Sequence, residues 1–338
     1  MPRRHLAVAL RSDLGDLARL AGGATRADIG HHDEAMAASA TTVAYLAPDG
    51  FVPELLQELD EAASEVHGRL VLAPAGKERP LAWVANVWRD ARRIPISSIG
   101  DAAKKLRAIQ RNWALYSHLH HRRAALIAEK LPKVSAKPLA FGAPAPAAPL
   151  GSWTLLAPDL MLAAPSCSSP FPNGEVEFIE DRSGPPSRAY LKLWELFTLT
   201  GERPRTGERC IDLGGSPGGW TFVLQQLGAH VLSVDKAPLD PRVAALPNVE
   251  CRQESAFALD PRAVGEVDWL FCDVVCYPKR LLALVETWLA SGRTRRLVCT
   301  IKFQGATDFE TMHQFAAIPG SRLLHLHHNK HELTWVRL

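Results

Sequence analysis

Cys210-Ile211-Asp212-Leu213-Gly214-Gly215-Ser216-Pro217-Gly218-Gly219-Trp220 decides how the rest of the chain is read. A short apolar run enters a turn of four glycines and a proline, and Thr221 to Leu227 continues as a mixed apolar stretch. This predicts a buried strand, a tight turn and an amphipathic helix. Such a turn sets backbone N–H groups and a helix N-terminus beside a ligand. Glycine suits it, because a side chain would block close approach or forbid positive φ.

Three ligands compete for a loop of this kind. A phosphate-binding loop closes on Gly-Lys-Ser/Thr, but Gly219 is followed by Trp220 and Thr221. A dinucleotide fingerprint needs G-x-G-x-x-G, which no register of Gly214 to Gly219 supplies. The third is S-adenosylmethionine, whose methionine end can lie along such a loop. An acid about 20 residues on would take the ribose hydroxyls, by analogy with dinucleotide sites. Asp235, at the end of the apolar run His230 to Val234, stands there. The plainer alternative is a glycine turn that serves only helix–strand packing.

The 338 residues can hold two domains and a full-sized core. The apolar share of 47% and charged share of 22% are those of an ordinary globular protein. No apolar run approaches the ~18 residues of a membrane span. Arg3 and Arg4 are soon followed by Asp13 and Asp16, so no signal peptide is expected and the expected location is cytoplasmic. The six cysteines are scattered, which suits free thiols in a reducing compartment. Cys272 and Cys276 have no second pair at metal spacing, and no metal is expected. A net charge of only +3 means that any affinity for nucleic acid must come from local clustering.

Residues 1–40 have weak periodicity and are expected to form a weakly structured extension. A small α+β domain is expected over 41–136. It would comprise a strand from Thr41 to Leu46, a turn at Pro48-Asp49-Gly50, a helix with Leu55, Leu56 and Leu59 ended by Gly68, and strands at Leu70–Leu72 and Leu81–Val84. From Arg89 to Lys137 twelve cations face three acids, a net of about +9. Trp113, Tyr116, His118, His120 and His121 lie among them. Cations for phosphates beside flat rings for unstacked bases are what RNA binding uses. Arg92, Arg93, Lys104, Lys105, Arg107, Arg111, Arg122 and Arg123 are the candidates. Against this stands a solvated basic helix with its aromatics in the core, because Leu106, Ile109, Trp113 and Tyr116 fall at helical spacing. Residues 137–185 read as a Pro/Ala linker followed by short strands. Over 186–338, strands and helices alternate, which predicts a parallel, doubly wound sheet closed by an antiparallel edge hairpin.

Four charged residues stand at telling places in that last region. Lys192 lies on the helix before the glycine-turn strand, Asp273 and Lys302 end successive apolar strands, and Glu332 opens the last strand. With the glycine loop they resemble the FtsJ-like family of S-adenosylmethionine-dependent RNA 2′-O-ribose methyltransferases, whose Rossmann-like domain carries a Lys-Asp-Lys-Glu tetrad. Ser187-Arg188, Leu191-Lys192-Leu193, Pro217-Gly218-Gly219-Trp220, Ser233-Val234-Asp235 and Thr287-Trp288-Leu289 most resemble its branch that methylates a cytidine ribose in large-subunit ribosomal RNA, the RlmM type. The resemblance implies catalysis by Lys192, Asp273, Lys302 and Glu332. It implies S-adenosylmethionine held by Asp212, Gly214, Gly215, Ser216, Pro217, Gly218, Gly219, Trp220, Asp235 and Asp273. Glu254 or Ser255 would stand near the adenine. The partner would be RNA, ribosomal by resemblance, with no membrane and no metal. His325, His327, His328 and His331 invite a metal, but strand alternation would split them between faces. The rival of another class is a non-catalytic RNA-binding or ribosome-assembly factor that keeps a methyltransferase fold.

Overall fold

A parallel strand covered on both faces is apolar along most of its length, and four such strands lie side by side in the C-terminal sheet, with a fifth, exposed parallel strand (Val249–Gln253) at its edge. The structure, a computed structural model, describes residues 42–74, 78, 80–134 and 137–338. The expected extension over 1–40 lies outside the described residues. The C-terminal elements are α4 (Tyr190–Thr200), β9 (Arg209–Leu213), α5 (Gly219–Gln226), β10 (His230–Asp235), α6 (Pro241–Ala244), β11 (Val249–Gln253), α7 (Pro261–Val264), β12 (Trp269–Cys272), α8 (Pro278–Ser291), β13 (Arg296–Lys302), α9 (Phe309–Ala316), β14 (Ser321–Leu324) and β15 (Glu332–Arg337). They alternate as predicted, because each apolar run is separated by a helix-forming segment long enough for a crossover.

The sheet order is β11-β10-β9-β12-β13-β15-β14. The chain winds outward from β9 in one direction and resumes at β12 on its other side. This reversal opens a crevice at the carboxyl ends of β9 and β12, where α/β sheets bind ligands. The glycine loop leaves β9 there. The parallel register sets Phe271 beside Asp212 and Cys272 beside Leu213. The closing hairpin is antiparallel, and β15 lies inside it, between β13 and β14. The antiparallel register sets Lys302 opposite Glu332. The start of β15 therefore meets the end of β13 on the same rim as the crevice.

The N-terminal elements are β1 (Thr42–Leu46), α1 (Val52–Leu59), β2 (Glu65–His67), β3 (Leu70–Pro74), β4 (Asn86–Pro95), α2 (Ile99–Ile109), β5 (Trp113–Leu115), α3 (His121–Ala128), β6 (Gly151–Ala157), β7 (Leu160–Ala164) and β8 (Ser166–Cys167). They form a mainly antiparallel sheet of order β2-β3-β1-β4-β7-β6-β5, with β8 on β4. Alternation along β1 and β3 feeds two cores. Ala44, Leu46, Leu70 and Leu72 face one, and Tyr45, Val71 and Ala73 face the other.

Several details differ from the sequence expectation. Helix α1 stops at Leu59, and Gly68 (φ 62°) turns the β2–β3 hairpin instead of ending a helix. Leu81 to Val84 is not a strand, and Trp83 is fully buried there. The helical spacing over 106–116 is broken at Ile109, after which Trp113 enters β5. Ser98 caps α2 through the Asp101 N–H. Beyond Gln110 the Trp113 indole N–H donates to the Leu106 and Gln110 carbonyls, both at 3.0 Å. The strands within 151–164 pair with β4 and β5, so they extend the first sheet.

One apolar core runs from the first sheet into the second. It contains Tyr45, Leu55, Leu59 and Trp83 together with Ile301, Phe303, Leu333 and Trp335. Trp83 stands at the seam, with ring centroids 4.7 Å from Phe51, 5.8 Å from Phe303 and 5.3 Å from His325. Glu58 fixes this loop by accepting from the N–H groups of Ala82 (2.9 Å) and Trp83 (2.7 Å). Burial pushes the His325 imidazole down to about 4, so it packs here as a neutral ring. Trp83→Ala is expected to lower unfolding stability by about 3–5 kcal/mol, measured by urea denaturation of the full chain.

Candidate active site

Lys192 sits on α4 within Tyr190 to Phe197, a run buried on every side. A lysine on a helix is usually solvated, but this one is 7% exposed. Its ammonium donates to both Asp273 oxygens (2.9 and 3.0 Å) and to Glu332 Oε1 (3.2 Å). It also lies 5.6 Å from the Trp220 ring centroid. Lys302 Nζ donates to the Asp273 carbonyl at 2.6 Å and lies 3.0 Å from Asp273 Oδ1. The four residues come from α4, the end of β12, the end of β13 and the start of β15, and the structure joins them in one network. Burial acts to raise the Asp273 carboxyl, but the two flanking ammonium groups outweigh it and hold the acid below the usual carboxylate range.

Two cavities adjoin this network. The first, about 480 Å³, is lined by Gly214, Gly215, Ser216, Pro217, Gly219, Trp220, Asp235, Ser255, Asp273 and Lys302. Its volume falls within the range of cofactor sites. Asp235 ends β10 and accepts from the N–H groups of Ser216 (3.2 Å) and Ala237 (3.0 Å), so it pins the glycine loop while facing the cavity. Gly214 has φ 78°, and a Cβ there would come 2.7 Å from the Val274 side chain. Of the expected lining residues, Asp212, Gly218 and Glu254 do not line this cavity. Ser255 does, beside Ala256 and Phe257.

Asp212 instead lies fully buried beneath the loop. Its Oδ2 accepts from the Thr221 hydroxyl at 2.6 Å, and Thr221 Oγ1 lies 3.1 Å from the Ser233 hydroxyl. Burial pushes its carboxyl up to about 7, against the Thr221 hydrogen bond and with help from Asp273. Gly215 covers the same spot, where a Cβ would come 2.1 Å from Ser233 Oγ and 3.0 Å from Asp212 Oδ2. Asp212 therefore belongs to the loop's foundation.

The histidines separate. The backbone N–H of His327 (2.7 Å) and that of His328 (3.0 Å), with His328 Nδ1 (2.6 Å), contact the Glu195 carboxylate. His325 and His331 join the ring cluster around Trp83. Among the described residues no group of acids, histidines and cysteines is gathered as metal ligands.

Residues 185–298 match the profile of the FtsJ-like methyltransferase family. The chain is 39% identical over 157 residues to "Ribosomal RNA large subunit methyltransferase M" of Halorhodospira halophila, covering 44% of this chain and 46% of that protein. Proteins of the same name from Aromatoleum aromaticum and Thauera aminoaromatica are 37% identical over 164 residues and 33% identical over 191. These matches cover 44% and 52% of each chain in turn. The chain thus spans about half the length of the curated relatives it matches.

Around the network and its cavities stand residues that the sequence pattern did not mark. Arg280 reaches from α8 to lie 3.8 Å above the Phe257 ring at the first cavity. Glu195, 1% exposed, is a carboxylate inside an apolar helical run, and that incongruity was its one sequence signal. Among the candidate RNA-binding cations, Arg93 pairs with Glu65, Lys105 pairs with Asp101 (3.0 Å), and Arg107 donates to the Lys130 carbonyl (3.0 Å). Arg123 is half-buried. Arg92, Lys104, Arg111 and Arg122 are exposed and make no ion pair among the described residues. Trp113 and Tyr116 are buried, so they pack the core and cannot stack on bases.

An acid with a raised folded pKa keeps its proton in the fold after the unfolded chain has lost it. Its contribution to stability therefore falls as pH rises from the unfolded value of 3.8 to about 7, and is level above that. The unfolding free energy of wild type minus that of Asp212→Asn should decline by about 1.4 kcal/mol per pH unit across that window. Denaturation curves from pH 4 to 8 measure the difference; a flat line would show that Asp212 ionises normally.

Proposed function

We propose that this chain transfers the methyl group of S-adenosylmethionine to a ribose 2′-hydroxyl of RNA, at a cytidine of large-subunit ribosomal RNA. The observation that carries the reading is the Lys192–Asp273–Lys302–Glu332 network standing on the wall of the glycine-loop cavity. A scaffold protein has no use for a buried and a half-buried lysine converging on one carboxylate, since burying charges costs free energy even when they are paired. The names of the relatives, ribosomal RNA methyltransferases, support the choice of RNA. The cytidine rests on the resemblance of the phrases around Lys192, Gly219 and Asp235.

The first cavity fits the cofactor in its donor set. The Gly214–Gly219 loop would follow the methionine end, Asp235 would take the ribose hydroxyls, and Ser255 with Phe257 would flank the adenine. When bound, the sulfonium supplies an electrophilic methyl group, so transfer needs only an in-line oxygen relieved of its proton. Lys302 reaches the cavity wall and is assigned as the group that takes the hydroxyl proton, acting as the neutral amine after its own ammonium proton has passed to solvent. Asp273 holds Lys302 and Lys192 from between them, and Glu332 holds Lys192 from the far side. Positioning of the two reactants can supply ~7–11 kcal/mol of barrier lowering. Proton removal by a placed group adds typically ~10²–10⁴-fold. Alignment is therefore the larger contribution, and the network serves alignment first.

Lys302→Ala should lower methyl transfer by about 10²-fold or more and leave S-adenosylmethionine affinity within about threefold by calorimetry. Radiolabel transfer to RNA from cells lacking this activity, with nuclease mapping, tests the chemistry. Label at a position whose backbone resists alkaline cleavage is the expected result. Label on a base, or full activity in Lys302→Ala, would overturn the assignment.

A further inference from the structure

Of the two cavities at the network, the larger, about 850 Å³, is lined by Lys192, Lys302 and Glu332. The smaller holds the glycine loop and also a cation for which methyl transfer has so far had no use. Arg280 lines it from the first turn of α8, with its guanidinium carbon 3.8 Å from the centre of the Phe257 ring. The side chain is exposed and makes no ion pair among the described residues. Lys279 beside it pairs with Glu310 at 3.5 Å. A cation in the first turn of a helix opposes the helix dipole, so Arg280 stands where the helix itself gains nothing from its charge.

Strand order gives this cavity a direction. Along the rim the strands run β11-β10-β9-β12. The glycine loop follows β9, Asp235 ends β10, and Ser255, Ala256 and Phe257 follow β11. A cofactor with its methionine end on the glycine loop and its ribose at Asp235 therefore carries its base toward Ser255 and Phe257, the wall that Arg280 overlies. That wall offers no free carboxylate. Among the described residues lining the cavity the acids are Asp235, which accepts from the Ser216 and Ala237 N–H groups, and Asp273, which is held by two lysines. A base there meets a planar guanidinium instead. At 3.8 Å the guanidinium is in van der Waals contact with Phe257 and covers one face of that ring. On that side the flat surface offered to a base is the guanidinium's outer face. Val275, 71% exposed, adds apolar surface to the same cavity.

We propose that Arg280 is the plate on which the adenine of S-adenosylmethionine stacks, with Phe257 as its backing. This rests on the cofactor reading of the first cavity and is independent of which RNA is methylated. Arginine suits the place, because a planar, weakly hydrated guanidinium stacks on flat rings and a compact, strongly hydrated ammonium does not. Bases stack on arginine planes in the same way when proteins hold unpaired nucleotides. Phe257 fixes the plane of the guanidinium before the base arrives, so little side-chain freedom is lost on binding.

The test is calorimetry on the full chain with two probes, S-adenosylhomocysteine and methylthioadenosine. Both carry the adenosine, and only the first carries the amino-acid carboxylate. Arg280→Ala changes an exposed side chain and should fold normally. It should weaken both probes by about tenfold, as loss of a stacking partner for a base does. Arg280→Lys keeps the charge without the plane and should bind both probes within about twofold of Arg280→Ala. A loss confined to S-adenosylhomocysteine would move Arg280 to the carboxylate end of the cofactor and overturn the plate. Unchanged affinity for both probes, or full recovery by lysine, would overturn it equally. Wild-type protein that binds neither probe would overturn the cofactor seat, and this plate with it. None of these readouts passes through RNA, so failure of the plate and failure of the RNA reading are distinguishable.

Discussion

Asp273 lies between two lysines at the end of a buried strand, and much of the C-terminal half is arranged to keep it there. Its carboxylate is in contact with Lys192 and with Lys302. Alone in this setting it would take up a proton, since desolvation disfavours the charge. Alone, Lys192 would be an uncompensated buried cation. Each group is tolerable only in the presence of the others, and each comes from a different element. The sheet order therefore carries the site: β12 must adjoin β9, and β15 must run antiparallel beside β13 with Lys302 opposite Glu332.

The N-terminal half contributes to this arrangement from outside. Phe303 follows Lys302 directly, and His331 precedes Glu332, and both rings pack with Trp83 and with each other. Two tetrad residues thus have neighbours anchored in the seam between the sheets. Thr307 adds a polar tie, lying 3.0 Å from His331 Nε2 and 3.4 Å from Glu54. A close-packed seam transmits displacement poorly damped, so the seam and the rim of the C-terminal sheet form one mechanical unit.

Local signals were strong where the chain's own chemistry sufficed. The glycine turn, the all-apolar strands and the helices of the C-terminal half follow from composition and period, because each is satisfied by its own backbone pattern. The four charged residues stood out through the family resemblance, which gave meaning to charges at strand and helix ends. The errors have a common cause in the N-terminal half. Leu81 to Val84 has the composition of a strand, but Trp83 is taken up by the seam and the Ala82 and Trp83 N–H groups by Glu58. Trp113 and Tyr116 keep helical spacing from Leu106, yet the sheet claims Trp113 for β5 and the core takes both. In the C-terminal half, packing alone shows that Thr221 and Gly215 close over Asp212.

The sequence by itself determined the glycine loop and the parallel strands, because these depend on near neighbours along the chain. Tertiary structure alone decided which charges meet. Lys192 and Glu332 are 140 positions apart and form a 3.2 Å contact, and no local pattern encodes a distance of that kind. It also decided that Glu195 is a clamp and that the four C-terminal histidines serve two separate places. Burial and strand order set those roles, and both are properties of the assembled sheet.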